Sequence, residues 1–225
     1  RKSGPVSLKK LEEYQTFEEF YDGYKALLDY YLDLSVKAQY HSYEVMNQHV
    51  SFLFTSLLTD DCIARGKALL DGGVRYLGGT NETYGNINTS DSLWVIRDLV
   101  FNQKKYTLRQ LNDAMLANFN GYEALRKDCL NCDKYGNDLE TADTMANDLY
   151  EFVAKGVRDR GIAIGMQYFL IVISNNQLNT EWGNRTAASP DGRLSCMYMN
   201  PANNPQGGAA KSGPTACLNS LSRFQ

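Results

Sequence analysis

No apolar run in this sequence is long enough to cross a bilayer. The strongest, from Tyr168 to Ile173, falls far short of the ~20 residues a spanning helix needs. A basic-then-apolar leader is also missing, since Arg1 and Lys2 are followed by Ser, Gly, Pro and a charged segment. Histidine is scarce, with two residues, and the five cysteines are odd in number with no framework spacing. That excludes a disulfide scaffold and predicts reduced thiols in a cytoplasmic protein. Excess positive charge is absent as well: the net charge is −3 and the pI about 5.5. A nucleic-acid groove is therefore not expected, and neither is a membrane partner. The nucleophile elbow G-x-S-x-G, the phosphate loop G-x-x-x-x-G-K-[ST] and the G-x-G-x-x-G fingerprint do not occur.

What is present is the composition of a globular protein: 225 residues, 43% hydrophobic and 22% charged, enough for one large domain or two small ones. The opening on Arg1 rather than Met points to processing or to a piece of a longer chain. Up to Tyr14 the chain reads as a connector. Thr16 and Glu19 have capping-box spacing, and Phe17, Phe20, Tyr21, Tyr24, Leu28 and Tyr31 follow at helical intervals. This aromatic face reads as core packing, on a helix reaching Met46. Asp60 to Leu70 predicts another helix ended by Gly72-Gly73, and Val74-Arg75-Tyr76 a short strand. Leu77 to Asn88, rich in Gly, Asn and Thr, reads as a loop. Asn81, Asn88 and Asn184 stand in glycosylation patterns, taken as chance matches.

Ser90 or Asp91 is expected to cap the next helix, with Leu93, Ile96 and Val100 inward. Thr107 and Gln110 form a second capping box ahead of Leu108, Leu111, Met115 and Phe119. Further helices are predicted over Tyr122 to Leu130 and Asp143 to Arg160, the latter stopped by Gly161. Phe169 to Ile173 reads as a strand buried on both faces, and Ser174 to Gln225 as loop, with most of the prolines. The fold class that fits is α/β and helix-rich.

Cys129 and Cys132 have C-x-x-C spacing, but a structural zinc site needs a second ligand pair and none is visible. They read as ordinary thiols. Asp60 and Asp61 are neighbours on a helix and do not face each other, so they suit a solvated helix start rather than acid/base work. Gly192 beside Pro190, and Gly213 beside Pro214, predict shaped turns.

Four stretches resemble the glycyl radical enzymes related to pyruvate formate-lyase. They are Ser56 to Gly66 with Gly72 to Tyr76; Asp91-Ser92-Leu93; Lys134-Tyr135-Gly136-Asn137-Asp138; and Ser189-Pro190-Asp191-Gly192-Arg193 with Gly213-Pro214-Thr215-Ala216. Their order and spacing are more specific than any one of them, and the closing Gly-Pro-Thr-Ala resembles the dehydratase, decarboxylase and lyase branches. Many relatives carry an Asp just ahead of that motif, where this chain has Ala210 before Lys211. The resemblance implies part of a ten-stranded β/α barrel spanning residues 1–225, mostly helical to 161 and then a buried strand with barrel loops. It implies that the thiyl cysteine, usually after a Gly, and the C-terminal glycine-radical domain lie outside this chain. None of the five cysteines follows a Gly, and no R-V-x-G-[YF] occurs.

By the same resemblance no cofactor is bound directly, and a glycyl radical is installed in the full-length enzyme by a radical SAM activase with an iron–sulfur cluster. The complete enzyme would act on a small organic substrate, as a homodimer or with the rest of the barrel covering this part. Met197, Tyr198, Met199 and Asn200 are candidate cavity-lining residues, with an ordinary surface loop as the alternative. Asp91, Ser92, Pro190, Asp191, Gly192, Arg193, Gly213, Pro214 and Thr215 are expected to be structural, Asp91 and Ser92 as a helix cap. The other reading is a non-catalytic scaffold or interaction module derived from the same fold.

Overall fold

The aromatic periodicity of the N-terminal segment becomes a helix, α1, over Phe17–His49 in the computed structural model of the chain. That structure describes residues 6–50, 52–173 and 176–224, the side chains of 168–176 excepted. Glu19 N–H donates to the Thr16 hydroxyl at 3.2 Å, as a capping box requires. The Glu19 carboxylate accepts from Gln15 N–H rather than from Thr16, one residue earlier than the motif predicts.

The chain then forms α2 over Leu53–Leu58, α3 over Cys62–Arg65, strand β1 over Gly78–Thr83 and α4 over Asn86–Val95. A wide π-helical turn over Ile96–Asn102 continues from α4. Next come α5 over Leu108–Leu116, α6 over Glu123–Asn131 and α7 over Glu140–Ala163. Strand β2 over Tyr168–Ile173, α8 over Asn176–Asn184 and α9 over Pro214–Leu221 complete it. The chain divides into two compact units, Arg1–Ala26 with Glu82–Phe152 and Ile173–Gln225, and Leu27–Asn81 with Val153–Val172.

The first unit is built around apolar faces of α4 to α7. Leu93, Val95, Leu108, Leu111, Phe119, Leu125, Met145 and Leu149 are all buried. Thr107 caps α5 with both halves of the predicted box in place. Phe119 is 2% exposed, so truncating it to alanine removes a core anchor worth about 3–5 kcal/mol. In the second unit Leu32, Val36 and Val157 are buried, and Arg160 donates to Asp29 at 2.6 Å. β1 and β2 pair as a two-stranded sheet, the one sheet among the described residues.

Several expectations are corrected. The helix predicted over Asp60 to Leu70 is cut to Cys62–Arg65: Asp61 has a left-handed backbone (φ 73°) and accepts both Arg75 Nε and Nη2, and left-handed Gly66 (φ 63°), not Gly72-Gly73, ends it. That ion pair holds Val74 to Tyr76 in bends, not a strand, and the strand falls at β1 instead. Leu77 to Asn88 is thus not a loop. α7 runs through Gly161, and the left-handed glycine comes later, at Gly165 (φ 91°). The tract after Ser174 holds α8 and α9, although residues 185–213 between them are irregular. The predicted burial of Phe169 to Ile173 lies outside the described side chains.

Candidate functional site

α4 opens with Asn, Ile, Asn, Thr and Ser, residues with modest helix propensity. It forms nonetheless because its polar side chains find tertiary partners within the first unit. Helical spacing places Asn88, Asp91 and Ser92 on one face. Asn88 N–H donates to Asn200 Oδ1 at 3.1 Å, and Asn200 N–H donates back to Asn88 Oδ1 at 2.7 Å. The Asn88 amide also donates to Asp191 Oδ2 at 2.6 Å and to Gln206 at 3.2 Å. Ser92 donates to the Asn88 carbonyl and accepts from Asp191 N–H. Gly85, left-handed at φ 70°, starts this helix. Asp91 and Ser92 are therefore not the cap that their residue types predict: they sit mid-helix and buried, at 1% and 9% exposure.

The turn from Ser189 to Arg193 closes on itself around Asp191. Asp191 Oδ1 accepts from the Ser189 hydroxyl at 2.6 Å and from Arg193 N–H at 3.2 Å. Gly192 sits at φ 94°, with Leu130 packed so closely that a Cβ would meet Leu130 Cδ2 at 2.7 Å. The Arg193 guanidinium is used up internally, donating to Ser189 Oγ and to the carbonyls of Leu194, Met197 and Ala187. Burial pushes its pKa down and Asp191 opposes that shift. Arg126 Nε donates to the Gly192 carbonyl at 2.9 Å, tying α6 to the turn.

The segment from Lys134 to Asp138 joins the same cluster. Tyr135 N–H donates to Asp91 Oδ1 at 2.9 Å, and buried Lys134 donates to the Cys129 carbonyl at 2.6 Å. Gly136, at φ 90°, lies against Pro205 where no side chain fits. Asn137 Oδ1 accepts from Lys211 and Ser212 N–H just before α9. So the bend beside Ala210 is held by Asn137. Gly213 is the N-cap of α9, Pro214 its first residue and Thr215 the next, all exposed. Cys217 in α9 donates to the Gly136 carbonyl. Ser220 accepts from Asp138 N–H and donates to Asp143.

Asp91 is the electrostatic centre of this arrangement. Burial pushes its carboxyl up to about 8, against the attraction of Lys134 and the Tyr135 N–H, with Asp191 and Asp143 adding to the rise. Its Oδ2 has no partner among the described residues. A group that titrates near neutrality beside a cleft can hold or release a proton. The cleft, of about 430 Å³, is bordered by Asp91, Lys134, the Asp191 turn, Met197 and Gly207 to Ala209. A smaller one of about 280 Å³ lies among Tyr24, Tyr84, Leu93, Pro190 and Met199.

The four candidate cavity residues are thus divided. Met197 borders the larger cleft and Met199 the smaller. The Tyr198 ring is 44% exposed, and Asn200 is a buried anchor bonded to Asn88 and Asn86. Pro190 borders the smaller cleft, Asp191 and Gly192 the larger, and Arg193 both. Sequence reasoning missed Asn88 and Gln206, and gave Lys134 only as part of a family-like stretch. Asn88 was visible only as a glycosylation pattern, yet its amide is buried and bonded on both sides. Burial pushes the Cys129 and Cys132 thiols up to about 12 and about 11. Among the described residues no group of three or more His, Cys, Asp or Glu could hold a metal ion.

The family profile described as pyruvate formate lyase-like matches residues 1–178. The chain belongs to that family. It is 29% identical to trans-4-hydroxy-L-proline dehydratase of Clostridioides difficile, over 98% of this chain and 29% of that protein. It is 30% identical to the probable dehydratase YbiW of Escherichia coli strain K12, over 94% of this chain and 27% of that protein. Among solved structures, the glycerol-bound B12-independent glycerol dehydratase of Clostridium butyricum superposes with a TM-score of 0.89 at 29% identity, over 96% of this chain and 27% of that one. A glycyl radical enzyme of Archaeoglobus fulgidus gives 0.88 at 25% identity, over 100% and 28%. The chain therefore spans less than a third of the relatives it matches. Among the described residues no helix is long and apolar enough to cross a membrane.

Proposed function

We propose that this pyruvate formate lyase-like chain is part of the barrel of a glycyl radical enzyme of the dehydratase, lyase or decarboxylase kind, acting on a small organic substrate. The observation that carries the reading is the closure of three of the family-like stretches into one buried network around Asn88, Asp91 and Asp191. In this reading the chain supplies scaffold and cavity wall. Asn88 and Asn200 fix the path of residues 197–200, and Met197 and Met199 present soft apolar surface to the two clefts. Asp91 and Lys134 set the polarity of the larger cleft.

In the whole enzyme a glycyl radical, installed by a radical SAM activase with an iron–sulfur cluster, would supply hydrogen-atom abstraction. The residues of this chain do not fit that role. None of its cysteines borders either cleft, and Cys129 and Cys132 are held as thiols by burial. No radical step is assigned to them. Packing of this chain against the remaining barrel, or as a homodimer, belongs to the same proposal.

The test is anaerobic activation of the polypeptide from the complete reading frame, read by electron paramagnetic resonance and by substrate turnover. The expected result is a glycyl radical signal with cleavage of a C–O, C–N, C–S or C–C bond, while the 225-residue chain alone gives neither. Turnover by the isolated chain would overturn the division of labour. A complete frame with no Gly-Cys loop and no radical signal would favour the second reading, a non-catalytic scaffold, which the self-closed network around Asp191 also suits.

A further inference from the structure

The 430 Å³ cleft of the first unit gathers more cationic side chains than its internal bonding uses. Arg126 and Lys127 from α6, Lys134 after it, and Lys211 before α9 border it. Of the three carboxylates among them, Asp191 and Glu123 are already engaged. Asp191 accepts from Ser189, Arg193 N–H and Asn88, and Glu123 accepts from Gly121 N–H. Arg193 likewise has all three guanidinium nitrogens bonded to its own turn.

The cations are less occupied. Among the described residues Arg126 commits only Nε, leaving both terminal nitrogens of its planar fork. Among the described residues the Lys134 ammonium makes one hydrogen bond, to the Cys129 carbonyl, and has two further N–H donors. Among the described residues the Lys127 and Lys211 ammonium groups make no hydrogen bond. Asp91, 1% exposed, borders the same cleft with Oδ2 unpartnered, and burial favours its neutral form, which can donate. Gly207 and Gly208 leave that side of the wall without side chains. The volume falls within the ~300–1,000 Å³ of small-ligand sites.

We propose that this cleft binds a small metabolite carrying an oxyanion, carboxylate or phosphate. The Arg126 fork would grip two oxygens, with Lys134 and Lys211 as point charges around them. A guanidinium fork matches the geometry of either oxyanion, and an ammonium adds charge without fixed direction. A neutral polyol of the same size gains neither term. The inference rests on the cleft and not on the radical reading, so failure of radical activation leaves it intact.

The test is calorimetric titration of the polypeptide from the complete reading frame with inorganic phosphate, malonate and glycerol at constant ionic strength. Saturable binding of phosphate or malonate, with none for glycerol, is the expected result, and the tighter of the two assigns the headgroup. Arg126→Gln should weaken it roughly tenfold or more and Lys211→Gln less. Lys104→Gln, outside the cleft, should leave it unchanged. Should Arg126→Gln disturb the fold, reductive methylation of Lys127 and Lys211 in the unaltered chain reads the same site, and the bound anion should slow it. The proposal is overturned if neither anion saturates, if glycerol binds equally, or if Arg126→Gln and Lys211→Gln both bind like the parent.

Discussion

The two units of the chain differ in the polar groups they bury and in the apolar cluster they expose. In the first, polar groups go inside: Asn88, Asp91, Ser92, Lys134, Asp191, Arg193 and Asn200 are all buried and joined by hydrogen bonds, with Asp91 Oδ2 and two Lys134 N–H donors left over among the described residues. The second also has a buried apolar core, but leaves one apolar cluster outside. α2 leaves Leu53, Phe54, Leu57 and Leu58 at 61–76% exposure, and Ile63 of α3 at 70%. Buried polar groups persist when their bonds are complete, because an orphaned one costs about 1–3 kcal/mol. An exposed apolar cluster marks a face that something else covers. The contrast separates a buried polar network, which still leaves Asp91 Oδ2, Tyr135 Oη and Asp143 Oδ1 without a partner among the described residues, from an exposed apolar cluster.

The comparison breaks most readily at Asp191. Asp191→Ala strips the Asn88 amide, the Ser189 hydroxyl and Arg193 N–H of their acceptor and leaves the Arg193 guanidinium buried without its counter-charge. A loss of about 3–5 kcal/mol is expected in urea unfolding. Asn88→Leu should cost about 2–3 kcal/mol by leaving the Asn200 N–H and part of Asp191 unpaired, with the midpoint shifting at constant slope.

Asp91 sharpens the comparison through pH. Its folded carboxyl is raised from 3.8 to about 8, so the unfolded chain ionises first. The stability tied to its neutral form is full below about 4 and is lost as pH rises through 8, by at most about 1.4 kcal/mol per pH unit. Asp91→Asn keeps an acceptor for Tyr135 N–H and removes that titration. The variant should gain on the parent steadily between pH 4 and 8 in paired melts. A parallel pair of pH curves would show that Asp91 does not titrate in that window.

Smaller effects are expected elsewhere. Thr107→Ala removes a cap outside the network and should cost about 1 kcal/mol. On the second unit, Phe54→Glu with Leu58→Glu should shift stability by no more than about 0.5 kcal/mol. The same pair should reduce self-association in sedimentation equilibrium. Unchanged association would remove the contrast between the units.

The sequence carried the long helices well, because their signals are local. Aromatic spacing placed the α1 helix, although of the six residues on that face Phe17 alone is buried and Tyr31 is 52% exposed; the box at Thr107 and the stripe Leu108, Leu111 and Phe119 read directly from residue order. What it hid depends on partners far along the chain. Asn86 and Asn88 look like loop residues until Asn203, Asn200 and Asp191, more than a hundred residues later, complete their bonds. Asp91 looks like a cap for the same reason, and its buried place on α4 follows from Tyr135 and not from its neighbours. Asp61 needed Arg75 to hold its left-handed turn. The closing turn was recognisable as shaped from Pro190 and Gly192, but its role as the acceptor for α4 was not.

The central claim is that the segments around Asn88, Asp91, Tyr135 and Asp191 form one cooperative network. Native-state hydrogen exchange tests it most directly, at the amides of Asn88, Tyr135, Asp191, Arg193 and Asn200, each of which donates within the network. The account predicts that these amides exchange only through one common opening, with the same free energy and the same response to Asp191→Ala. Independent exchange, with the Asp191 and Asn200 amides opening rapidly while Tyr135 stays protected, would contradict it.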